Sequence, residues 1–175
     1  MRRKGREVAG RVIIIAIPTV PLGTETPLSS LDSIIKDSLS KASSHTREVY
    51  GKNPLPASEL IELANSRVLT LAATVRPDGR PHLSPTDFVN VEGIFYLGVD
   101  EATARYRNLK QNPAVTVMLA DGSKRQAILE GNTKFLDLKS GTAKRVLEAQ
   151  KKKYGWVTDA LAEFQIVKAF TWKAK

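Results

Sequence analysis

The 175-residue chain has no cysteine and only two histidines, His45 and His82. Disulfides, thiolate metal sites and a cysteine nucleophile are therefore excluded. A multi-histidine metal centre within one chain lacks ligands. Long apolar runs are also missing. The longest, Val12 to Ile17, ends at Pro18, whereas a membrane-spanning helix needs roughly 20 apolar residues. Neither G-x-x-x-x-G-K-[ST] nor G-x-G-x-x-G occurs, so two common phosphate loops are ruled out. Acidic residues are in short supply, 18 against 27 Lys and Arg, which leaves a formal charge of +9. That excess points to an anionic partner: nucleic acid, a membrane surface or a phosphorylated small molecule. What is present, 42% hydrophobic and 26% charged residues, suits one globular domain of ordinary composition.

The first stretch differs from the rest. Arg2, Arg3, Lys4 and Arg6 precede the Val12–Ile17 run, and Pro18, Pro21 and Pro27 follow it. A basic start with an apolar run invites a secretory signal, but the run is short and no Ala-x-Ala-type cleavage site follows. A cytoplasmic protein is expected, with this segment a short strand or an extension. From Ser29 to Ala42, Leu31, Ile34, Ile35 and Leu39 form a one-faced amphipathic helix. Ser43 to Pro56, with Gly51, Pro54 and Pro56, reads as a linker. Ser58 to Ala64 is a second short helix.

From Arg67 the hydrophobic period changes to that of strands. Val68 to Val75 is the first, and Pro77-Asp78-Gly79 turns the chain. His82 to Val91 returns, interrupted by Pro85, which removes a ladder donor. Ile94 to Val99 completes a meander of three strands. Ala102 to Gln111 is a helix stopped by Asn112-Pro113. Ala114 to Ala120 and Arg125 to Leu136 follow as a hairpin, then a basic helix, Ser140 to Tyr154, and a last strand, Phe164 to Trp172. Six strands with brief helices predict a mainly β (α+β) fold, a small antiparallel barrel.

The strand–helix junction at Tyr96 to Asn108 is the best place for an anion. Helix N-termini present free N–H groups and a positive dipole end. Thr103 adds a hydroxyl there, and Arg105 and Arg107 add charge-assisted donors. Arg125 and Gln126 offer planar donor groups suited to the edge of a flat ring. His82, Ser84 and Asp87 raise a Ser-His-Asp triad, but the Gly-x-Ser-x-Gly turn is absent. Asp100 and Glu101 are adjacent and need not face each other as a paired acid and base. Lys151 to Lys153 with Tyr154 and Trp156 could follow a nucleic-acid backbone, although a solvated helix end is the simpler reading.

Taken in order, these pieces resemble the flavin-binding split-barrel family that includes pyridoxamine 5′-phosphate oxidase and deazaflavin-dependent relatives. The residues that carry the resemblance are Arg67 to Val75, Pro77-Asp78-Gly79-Arg80-Pro81-His82, Ile94-Phe95-Tyr96, Thr103 to Leu109 with Asn112-Pro113, and Arg125-Gln126 through Glu130-Gly131. The resemblance implies a six-stranded split β-barrel over residues 55–175, preceded by an extension over residues 1–54. It also implies a homodimer with flavin mononucleotide (FMN) between subunits. By matching positions, Thr103 and Arg105 would bind the phosphate, with Arg107 and Asn108 as helpers. Leu83, Ser84, Pro85 and Thr86 would lie along the flavin ring, and Gln126, with Arg125 beside it, would contact that ring.

There are departures. The family's oxidases carry substrate-binding basic residues after the Phe-Trp of the last strand, whereas Phe170-Thr171-Trp172 is followed here by Lys173-Ala174-Lys175. Ser84 and Val89 also stand where basic residues are expected. The expectation is thus an FMN-dependent oxidoreductase whose small-molecule substrate is not pyridoxamine phosphate, with no residue assigned to catalysis beyond His82 or Tyr96 as possible proton donors. A deazaflavin coenzyme is the alternative. Other readings are a flavin- or haem-binding module without turnover, with His82 or His45 as the available imidazoles, and a basic nucleic-acid-binding barrel. Neither a membrane nor nucleic acid is the expected partner.

Overall fold

A computed structural model describes residues 28–175, and the reading of Val12–Ile17 as a strand or signal lies outside the described residues. Three helices lead in: α1 (Leu28–Ser40), α2 (Ser44–Tyr50) and α3 (Ala57–Asn65). Then come β1 (Leu69–Val75), β2 (Pro81–Pro85), β3 (Asp87–Val91), β4 (Ile94–Val99), α4 (Ala104–Gln111), β5 (Ala114–Asp121), β6 (Arg125–Phe135), α5 (Gly141–Tyr154) and β7 (Ala160–Lys173). Helix α2 falls where a linker was expected. Ser43 caps it by accepting from the Thr46 N–H, and Gly51 closes it, so local capping overrides the loop composition.

The seven strands form one antiparallel sheet in the order β2-β1-β5-β6-β7-β4-β3. The expected count was six, and Pro85 accounts for the difference. Having no N–H, it ends the ladder that pairs Leu71 with Pro85. The chain then changes partner, and Asp87–Val91 pairs with Gly98–Ile94 of β4 at the opposite end of the sheet. The meander is therefore divided between the two sheet edges. Thr86 joins them: its N–H donates to Thr70 O (3.1 Å) in β1 and its hydroxyl to Gly98 O (3.4 Å) in β4. The sheet curls until its edges meet at this residue, which makes a split barrel.

Alternation fills the barrel. Thr70, Ala72 and Thr74 of β1 and Val115, Val117 and Leu119 of β5 point inward and are buried. Helices α1 and α3 supply Leu31, Ile35, Leu60 and Leu63 to the same core. A second core packs α5 on β3 and β4 through Val89, Tyr96, Ala143, Val146 and Leu161. Where β6 and β7 slip register at Glu130/Gly131, a Cβ on Gly131 would lie 2.0 Å from Gln165 O, so this bulge requires glycine. No helix among the described residues is long and apolar enough to cross a membrane.

Candidate functional site

Closing the sheet at Thr86 leaves a cleft of about 350 Å³ beside the join. Leu69 and Thr70 of β1, Pro85, Thr86 and Asp87 at the β2–β3 switch, Gly98 of β4 with Asp100 just after it, and Arg105 of α4 line it, with Tyr154 at the end of α5 and Trp156 and Thr158 beyond it. The topology thus brings five separate pieces of chain to one place.

Arg105 sits at the centre of the cleft's chemistry. It is 7% exposed. Its Nη1 donates to Ser84 Oγ (2.9 Å) and to Pro85 O, and Nη2 donates to Gly98 O (3.4 Å). Its Nε is buried without a partner. Burial pushes its pKa below the ordinary guanidinium value, while Asp100 and then Asp87 pull it back up. Among the described residues no carboxylate lies within ion-pair distance of it. A buried cation without an ion pair is expensive to keep, and an oxyanion in the cleft would add a direct partner to the more distant charges of Asp100 and Asp87.

The remaining expected site residues divide between the cleft and elsewhere. Ser84, Pro85 and Thr86 meet Arg105 there. Thr103 caps α4: its hydroxyl accepts from the Tyr106 N–H (3.1 Å) and donates to Asp100 O (2.6 Å), which commits its proton within the turn. Arg107, two residues on and so on the far side of the helix from Arg105, is exposed and donates to Ala102 O (3.1 Å). Asn108 is buried and donates to Thr74 Oγ1 (2.9 Å). Leu83 points outward, 62% exposed. Arg125 pairs with Glu62 (2.8 Å) and Asp121 (3.3 Å). Gln126 lies on the outer face, in the register row Leu69–Ala120–Gln126; only Leu69 of that row borders the cleft.

The triad does not form. Ser84 Oγ accepts from Arg105, and Asp87 Oδ2 accepts from Gln150 Nε2 (2.7 Å) and Trp156 Nε1 (2.8 Å). The His82 ring lies by Thr74 Oγ1 (3.4 Å), its pKa lowered by burial and then by Arg76 and Arg105. Tyr96 is buried in the second core, and burial, with Glu163 and Glu92, pushes its hydroxyl up to about 12. Neither borders the cleft.

Sequence reasoning missed the wall built after α5. Trp156 is 57% exposed, yet its indole N–H is fixed by Asp87 and one face stacks on Tyr154 at 5.7 Å and 30°. It leaves a flat apolar surface at the cleft mouth. A tryptophan placed just beyond the helix-closing Gly155 was the available signal. The lysine run also needs correction. Lys151 and Lys152 are exposed, but Lys153 is held inside, Nζ donating to Ala64 O (2.6 Å) and Phe88 O (2.7 Å). Among the described residues no group of three or more His, Cys, Asp or Glu is placed to hold a metal.

Residues 55–171 match the family model of pyridoxamine 5′-phosphate oxidase. Similar folds occur in the conserved hypothetical protein Rv2991 of Mycobacterium tuberculosis (TM-score 0.59, 19% identity, 71% of this chain and 89% of that one). They occur also in HutZ, the haem storage protein of Vibrio cholerae (0.55, 21%, 65% and 92%), and in an F420 reductase (0.51, 19%, 62% and 93%). At such identities the likeness is one of fold. No curated protein matches the sequence. The family match takes in β1 to β6, all but the end of β7 and every side of the cleft, and the chain belongs to the pyridoxamine 5′-phosphate oxidase family of split barrels.

Proposed function

We propose that the protein is an FMN-dependent oxidoreductase for a small-molecule substrate, working as a homodimer, with Arg105 holding the cofactor phosphate. The observation that carries this reading is the state of Arg105: buried, without an ion pair, and with Nε unpartnered. A phosphate dianion accepts from several donors at once and offsets the desolvation of the guanidinium. Bound flavin would supply hydride or electron transfer through its ring. The chain's part is to anchor, orient and desolvate. Ser84 and the Pro85 carbonyl hold the guanidinium in place, Leu69 and Pro85 present apolar surface, and Trp156 offers a ring face. No side chain lining the cleft is assigned to proton transfer.

Haem is the weaker fit. His45 lies on exposed α2 and His82 by Thr74, so no imidazole borders the cleft. A deazaflavin coenzyme also carries a phosphate and could use the same anchor.

The test is titration of the purified protein with FMN, followed by absorbance at roughly 450 nm, where oxidised flavin absorbs. Saturable uptake is expected, weakened about 10- to 100-fold by Arg105→Gln, in line with loss of charge-assisted hydrogen bonds of about 1.5–3 kcal/mol. No uptake of FMN, or uptake indifferent to Arg105→Gln, refutes the reading. Preferential uptake of a deazaflavin changes the cofactor and keeps the anchor. Bleaching by NAD(P)H, reversed by air, separates an enzyme from a carrier.

A further inference from the structure

A second recess, of about 430 Å³, opens on the other side of β3. Asn65 at the end of α3, Arg67, Asn90 of β3, and Lys152 and Lys153 of α5 line it. No carboxylate does. Three cations therefore share one concavity, and none makes an ion pair among the described residues.

Its polar groups are unevenly satisfied. Asn90 Oδ1 accepts from the Gly93 N–H (3.2 Å), and the Asn90 N–H donates to Asn65 Oδ1 (3.0 Å). Asn90 Nδ2 is buried with no acceptor. The Gly93 contact fixes the amide, because exchanging its ends would set an NH₂ against an N–H. Arg67 spends Nε on Lys153 O, leaving both terminal nitrogens. Lys152 is exposed. Lys153 Nζ is already turned to two carbonyls and contributes its field more than a donor.

We infer that this recess is a binding site for a small phosphorylated molecule, distinct from the Arg105 cleft. Arg67, through its two terminal nitrogens, and Lys152 would donate to the phosphate oxygens. A phosphate supplies a counter-charge to three cations that have none in an ion pair. Its three terminal oxygens match the two terminal nitrogens of Arg67 and the Lys152 ammonium better than the two of a carboxylate. The recess has room for more than the phosphate, so a phosphomonoester is a better match than the free ion. The site rests on none of the flavin reading.

The experiment is calorimetric titration of the full-length protein with ribose 5-phosphate, with ribose and inorganic phosphate as controls. Saturable binding of the phosphomonoester and none of ribose is expected. Lys152→Gln and Arg67→Gln should each weaken it about tenfold, as loss of one charge-assisted contact does. Asn90→Asp, of nearly the same shape, should abolish it by setting a carboxylate against the phosphate. Arg105→Gln should leave it unchanged. Because Lys152 is exposed, its variant remains informative if Arg67→Gln or Asn90→Asp fails to fold. No saturable binding at millimolar concentration overturns the proposal, as does binding indifferent to Lys152→Gln or lost in Arg105→Gln. Binding of a single-stranded oligonucleotide without binding of the phosphomonoester also overturns it, in favour of a nucleic-acid surface.

Discussion

Arg105, buried, and Lys153, half-buried, are two cations held in opposite ways. Lys153 gives its protons to the Ala64 and Phe88 carbonyls, a closed arrangement that ties α5 to α3 and β3. Arg105 keeps a donor unspent. Substituting Arg105 by Met should therefore cost the ligand-free protein less than about 1 kcal/mol, since lost hydrogen bonds are offset by relief of a buried charge, while FMN uptake disappears. Thermal unfolding with and without FMN checks this; a collapse of ligand-free stability would make Arg105 structural. For Lys153, burial outweighs the pull of Asp87 and lowers the pKa from 10.5 to about 8. A depressed cation releases its proton on folding between those values. The penalty is thus fully present below about pH 8 and relieved as pH rises toward 10.5. Tyr96 and Tyr154, pushed up to about 12, act oppositely at high pH, so the comparison must be with a variant. The stability of wild type relative to Lys153→Met should move in wild type's favour between pH 8 and 10.5, by up to about 3 kcal/mol. Denaturant unfolding across that range tests it, and a flat difference rejects the buried-amine account.

Among the elements, the switch between β2 and β3 and the approach of α5 to β4 set the cleft. Gly98 is where they touch. A Cβ there would lie 2.2 Å from Gln150 Nε2 and 2.9 Å from Thr158 Oγ1. Gln150, 1% exposed, is the residue that grips Asp87, and Asp87 grips Trp156. Gly98→Ala should cost about 1–3 kcal/mol by overpacking and should loosen Trp156. In a Trp172→Phe background this would be read as a red-shifted, less anisotropic indole emission; unchanged emission would deny the linkage. How far these elements were legible follows from the range of their causes. Asp78-Gly79 and Asn112-Pro113 act through near neighbours, and the turn and helix stop they announce are where they were expected, whereas the helix expected from Ala102 starts at Ala104, after the Thr103 cap. Pro85 announced an interruption, but its consequence, a change of partner from β1 to β4, depends on a strand edge far along the sheet. Trp156 and Asp87 meet across 69 residues, and no local period encodes that. Nor does one encode the inward turn of Lys153 within a run of lysines.

For the molecule as a whole, the outer face of the sheet raises the question of what covers it. On β1 the inward residues are Thr70, Ala72 and Thr74, and the outward ones are Leu69, Leu71, Ala73 and Val75, so the more apolar set faces out. In register, Leu71 lies beside Pro85 and Met118, and Ala73 beside Leu83 and Thr116. Leu69 is 58% and Leu83 62% exposed. A contiguous apolar surface of this kind marks an interaction face, and a second copy of the same chain is the occupant proposed above. Leu69 and Pro85 belong both to this face and to the cleft, so a partner seated here would border the cofactor. Two effects should then move together. The wild type should sediment as a dimer at micromolar concentration, and Leu83→Glu should shift it to monomer without loss of thermal stability, because the side chain is exposed and a charge there disfavours only association. FMN affinity should fall in the same variant, although Arg105 and its partners are untouched. Sedimentation velocity paired with FMN titration measures both. A monomeric wild type removes the dimer, whereas a monomeric Leu83→Glu protein that binds FMN normally leaves the cleft complete within one chain.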